Sequence, residues 1–126
     1  MVESDSIHKV SQSGERAALS ALLDKYLEAA VFEAGLADRT VTAYAGDLRC
    51  YLNFLEENGI ESADGILRED ILDHVGFLVA QGLTPRSITR KISAIRRFHR
   101  FLHEEGLATA NPADDFDSPR LMKRLP

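Results

Sequence analysis

Residues 84–102 read TPRSITRKISAIRRFHRFL. Thr84 followed by Pro85 is a helix start: a hydroxyl to cap the first free N–H groups, then a proline with its φ already set for the first turn. Place the stretch on a wheel at about 100° per residue, and Arg90, Ser93, Arg97 and Arg100 fall within about 40° of Arg86. Ile88, Ile92, Ile95 and Leu102 gather near the opposite side, Phe98 borders them, and Lys91 and Arg96 sit at intermediate angles. The periodicity predicts a helix over 85–105, ended by Gly106, with one core face and one cationic face. The stretch holds six basic residues and no acid, in a chain whose formal net charge is −5.

Three more helices follow from the same reasoning. Leu19, Leu22, Leu23, Tyr26, Leu27, Ala30 and Val31 form a helical stripe over 17–34, before Gly35. Asp38 is placed to cap a second helix over 38–58, with Val41, Tyr44, Ala45, Leu48, Leu52 and Leu55 inward and Gly59 after it. A third covers 68–81, with Ile71, Leu72, Val75, Leu78 and Val79 inward and Gly82 as its stop. No strand pattern or repeat is found. The expectation is an all-α, compact four-helix bundle over 17–106. Residues 1–16 are polar and aperiodic and read as a disordered tail. Residues 107–126 contain Pro112, Pro119 and Pro126, lack periodicity, and read as a linker.

A chain of 126 residues holds one core. No apolar run approaches the roughly 18 residues that span a bilayer, and residues 1–16, polar and without a hydrophobic core, are not expected to act as an export signal. Cys50 is the one cysteine, which fits a reducing cytoplasm. The acidic average argues against a nucleic-acid binder, but binding responds to the local field. Charge here is sorted by element: residues 56–73 carry seven acids and the single base Arg68.

An ordinary solvated helix face mixes signs, because like charges three or four residues apart repel. The cationic face of 85–105 therefore has two readings. Its arginines pair across helices with the acidic segment, or they form a polyanion site. Arginine outnumbers lysine five to one in the stretch, which suits bidentate contact with phosphate or guanine. Ser87, Thr89 and Ser93 add short hydroxyls, and a helix fits the DNA major groove. The outward side of the second helix carries Arg39, Thr40, Thr42, Ala43, Gly46 and Arg49. Ala43 and Gly46 leave a shallow spot, either for a partner or for close helix packing.

Residues 36–55, LADRTVTAYAGDLRCYLNFL, resemble the N-terminal core-binding (SAM-like) domain of tyrosine recombinases and phage integrases, through Thr40, Tyr44, Asp47-Leu48 and Phe54-Leu55. Residues 82–102 resemble that domain's last helix, through Gly82-Leu83, Ser87-Ile88, Arg90, Ser93 to Arg96, Phe98 and Phe101-Leu102. Asn111-Pro112 and Leu125-Pro126 look like the linker into the catalytic domain, and the likeness is nearest to Xer-type recombinases. It implies a half-clamp that sets its second and fourth helices against the major groove of double-stranded DNA. Carried over, Thr40, Thr42, Ala43 and Arg49 of helix two and Arg86, Ser87, Arg90 and Lys91 of helix four would meet DNA. Arg97 and Arg100 lie on the same stripe, farther along. The resemblance also implies contacts with other recombinase protomers in a tetramer, no cofactor, and a catalytic tyrosine in a C-terminal domain beyond this stretch. The fragment alone is expected to be monomeric and not to cleave DNA. The alternative is a helical protein-interaction module whose arginine face binds an acidic partner.

Other constellations carry less. His99 and His103, four apart, could share a metal face but lack a third ligand nearby. Asp114, Asp115 and Asp117 lack the glycine and spacing of a calcium loop. Cys50 reads as a small packed residue. Asp47 is expected to pair with an arginine of the bundle. Tyr26, Tyr44 and Tyr51 fall in helices, and none is assigned as a nucleophile.

Overall fold

The computed structural model describes residues 19–32, 35–114 and 116. Helix α1 occupies residues 19–32, α2 Asp38–Glu57, α3 Arg68–Ala80 and α4 Pro85–Glu104, with a 3-10 turn at Ala63–Gly65. No strand occurs among the described residues. The tail expected over 1–16 lies outside them, as do most residues from 115 onward.

The start of α4 is as expected from Thr84-Pro85: the Ser87 N–H donates to Thr84 Oγ1 at 3.2 Å, with the proline in the first turn. The start of α2 differs. Ala37 is the residue outside the helix, no side chain caps it, and Asp38 is already helical. Its carboxylate still sits in the first turn, where the helix dipole favours negative charge. At α3, Asp70 reaches back and accepts the Leu67 N–H at 2.8 Å. Gly82 (φ 82) makes the reversal from α3 into α4, a left-handed conformation that a side chain would strain.

The core is drawn from all four helices: Leu19, Leu23 and Tyr26 of α1; Leu48, Tyr51 and Leu55 of α2; Ile71, Val75 and Leu78 of α3; Ile92, Ile95, Phe98 and Leu102 of α4. Among α2, α3 and α4, the broadest contact is that of α2 with α4, and α3 packs across both. Tyr26 sets its ring edge-on to Phe98 and Phe101, holding α1 to α4. Two residues assigned inward face solvent instead: Val31 is 45% and Leu72 39% exposed. Both lie at the edge of their apolar stripes, where the neighbouring helix no longer covers them.

The segment after α4 departs from a free linker. Gly106 (φ 72) turns the chain back, so that the Leu107 and Ala108 N–H groups both donate to the Leu102 carbonyl, at 2.8 and 3.1 Å. Ala108, Ala113 and Phe116 are buried against the bundle. Asp64 Oδ1 accepts from the Thr109 N–H at 2.9 Å and from its hydroxyl at 3.1 Å. The Arg68 guanidinium lies 5.3 Å from the centroid of the Phe116 ring, in cation–π range. Residues 107–114 and 116 are therefore an extension of the core. Isolated small and aromatic residues hold them down, so no periodic signal announces it.

Candidate nucleic-acid interface

The geometry of the site starts at Asp47, in the middle of α2 and only 4% exposed. A buried carboxylate needs partners. Arg90 donates from Nε to Oδ2 at 2.9 Å and from Nη2 to Oδ1 at 2.8 Å, a side-on bidentate pair. Lys91 Nζ donates to the same Oδ1 at 2.8 Å. These hydrogen bonds hold the Arg90 guanidinium pKa above its ordinary value, against a smaller opposing effect of burial. The Arg90 side chain remains 48% exposed, whereas Lys91 keeps 14%. Lys91 lies about 140° from Arg86 on the helix wheel, closer to the core side than to the basic stripe, which explains its burial.

The rest of the α4 stripe is free of such pairing. Arg86, Arg97 and Arg100 are exposed, and among the described residues no ion pair joins any of them to a carboxylate. Arg86 and Arg97 are separated by about 16 Å along the helix. Toward the α1 side, the charges of Arg97 and Arg100 act on the Tyr26 hydroxyl, whose pKa is nevertheless raised, burial being the larger effect. Ser87 is half-buried and shares the Thr84 cap.

On α2 the candidates divide. Thr40 and Ala43 lie within about 40° of Asp47, on the side that meets α4. Thr42 and Arg49 lie more than about 130° away from it. Arg49 lines one groove with Asp24 and Leu23 of α1, and a second, of about 480 Å³, with Gly46, Cys50, Phe54 and Phe77. It is not brought to the α4 seam. Gly46 is exposed, and a Cβ there would meet nothing within 4 Å, so close helix packing does not require the glycine. Cys50 is a free, half-buried thiol beside that groove.

One turn deeper along the same seam stands a neutral link that the sequence reading missed. The Tyr51 hydroxyl and His99 Nε2 share a buried hydrogen bond of 2.8 Å. His74 of α3 stacks among Tyr51, Phe54 and Phe77, with its Nδ1 buried and unpartnered. Burial lowers the pKa of both histidines to about 4, with the Lys91 charge adding to the effect at His74. His99 is therefore turned into the core while His103 is exposed, and the two share no outward metal face. The signal was available: His99 falls at about 220° on the wheel, between Ile88 and Ile92. No group of three or more metal-ligating side chains occurs among the described residues. No helix among them is long and apolar enough to cross a membrane.

Comparison with known proteins supplies the family. Residues 23–106 match the phage integrase N-terminal SAM-like domain, and the chain belongs to that family. It is 39% identical over 105 residues to the tyrosine recombinase XerD of Pseudomonas aeruginosa, covering 83% of this chain and 35% of that protein. It is 37% identical over 108 residues to the tyrosine recombinase XerD of Staphylococcus aureus, covering 86% and 37%, and 35% identical to that of Staphylococcus epidermidis over the same span. The chain thus spans about a third of the length of these relatives. No solved structure matches it.

Proposed function

We propose that this chain is the DNA-holding part of a site-specific tyrosine recombinase, gripping duplex DNA near the exchange site and performing no strand cleavage itself. The observation that carries the reading is the stripe of Arg86, Arg97 and Arg100: exposed, without a carboxylate partner among the described residues, in an otherwise acidic chain. Such a stripe costs stability through like-charge repulsion and gains it back only against a polyanion. The free edge of Arg90 and the neighbouring Thr40, Ala43 and Ser87 extend the same surface. Lys91 contributes charge from behind it. Thr42 and Arg49 would reach DNA only on a path wrapping round the far side of α2. Tyr26 and Tyr51 are buried, which leaves neither hydroxyl open to attack a phosphate. Other protomers of the recombinase, in a tetramer on DNA, are the further partners this reading implies.

The test is a fluorescence titration of the chain with duplex DNA at 50 and 200 mM salt. With three or four phosphate contacts, affinity should fall by roughly 40- to 150-fold between the two, at a slope of about −0.9 per contact. Arg86→Glu combined with Arg97→Glu should abolish binding. These two are preferred to Arg90 because reversing Arg90 would also strand Asp47. Binding indifferent to salt, or surviving the double reversal, rejects the reading. Failure to bind duplex DNA together with capture of an acidic peptide would favour the protein-interaction module.

A further inference from the structure

Asp47 is an expensive way to join two helices. Burying a carboxylate costs several kcal/mol before its partners compensate, and an apolar pair of similar volume often does as well. The structure gives it two cations where one would neutralise it. One of them, Arg90, keeps about half its side chain in solvent. Its Nε and Nη2 are committed to Asp47, which leaves Nη1 as the outward edge of a planar fork.

We infer that Asp47 is a positioning residue for the DNA face: it fixes the plane of Arg90 at the α2–α4 seam and cuts the local charge offered to DNA from two to one. The inference rests on the DNA-binding reading above. An arginine already held in its bound rotamer loses less freedom on meeting its partner. A seam with one net charge instead of two holds DNA less tightly through the phosphates alone, so binding depends more on where the fork lands.

The consequence is unusual for a buried residue: removing its charge should tighten binding. With a 30-base-pair random-sequence duplex pool as probe, Asp47→Asn should bind more tightly than the parent at 50 mM salt. Its salt slope should steepen by about one, so that the loss between 50 and 200 mM grows roughly fourfold. Asp47→Asn with Lys91→Met restores the parent's net charge and should restore its slope. Lys91→Met alone, which keeps the Arg90 pair, should give a slope shallower by about one. It serves as the decisive variant if circular dichroism shows Asp47→Asn unfolded. Arg90→Lys keeps the charge but loses the fork, and should weaken binding several-fold at an unchanged slope.

A purely structural Asp47 would reduce the folded fraction and leave every slope where it was. Slopes unchanged in Asp47→Asn and Lys91→Met, beside a parent that binds with normal salt dependence, overturn the inference alone. A parent that does not bind the pool overturns the DNA reading and the inference with it. Unchanged affinity in Arg90→Lys overturns the orienting role.

Discussion

Helices α2 and α4 are joined twice, about one turn apart on α2 and more than two turns apart on α4, by opposite means. At Asp47 the link is ionic and lies at the rim, with Arg90 half in solvent. At Tyr51 it is a neutral hydrogen bond to His99, under aromatic cover. The difference follows from access to water. At the rim a charge keeps part of its hydration and a partner's charge completes it. Four residues along, the same charge would be stranded, so the histidines stay neutral, with pKa values near 4. The rim link therefore keeps a cation in contact with solvent, while the inner link is closed to it.

Acid should separate the two most strongly. His74 and His99 titrate near 6.5 when unfolded and near 4 when folded. Between those values the unfolded chain binds more protons, so this contribution is complete above pH 6.5 and drains away as pH falls toward 4. A shift of that size corresponds to about 3 kcal/mol for each histidine, together enough to unfold an ordinary small domain. Urea denaturation followed from pH 7 to pH 4 should show the loss. His74→Phe, which suits the Tyr51, Phe54 and Phe77 rings around it, should remove about half of the pH dependence.

Tyr51→Phe breaks the inner link alone. It leaves His99 Nε2 buried without a partner and should cost about 1–3 kcal/mol in urea melts, independent of salt. Asp47→Ala breaks the rim link and should cost less, about 1–2 kcal/mol, because Arg90 can return to water. That loss should shrink in 1 M salt while the Tyr51→Phe loss does not, a contrast thermal melts at two salt concentrations would read. The smallest effect belongs to the far side of α2, which joins neither link. Gly46→Ala, with open space for the methyl, should stabilise the helix by up to about 1 kcal/mol, seen as a small rise in Tm.

The helices were legible because their stripes and stop glycines act within a few residues. The α4 bounds follow from Thr84-Pro85 and Gly106, and an arginine partner for Asp47 is likewise an expectation of the sequence. Other features were not readable locally. Residues 107–114 and 116 cling to the core through Ala108, Ala113 and Phe116, too few and too irregularly spaced to form a period. The Asp64–Thr109 clasp joins residues 45 positions apart. The sequence places Arg49 on the outward side of α2 with Thr40, Thr42 and Ala43, and the packing of α2 turns it toward grooves away from the α4 seam.

What the sequence determined unaided is the set of elements and the sorting of charge onto α4, since both are set by order and spacing along the chain. Which cations remain free was decided by tertiary structure. Arg90 and Arg86 share one stripe, yet one is held by Asp47 and the other is not. A helix wheel fixes a side chain's direction, while its partner depends on where a second helix places a carboxylate within about 3 Å.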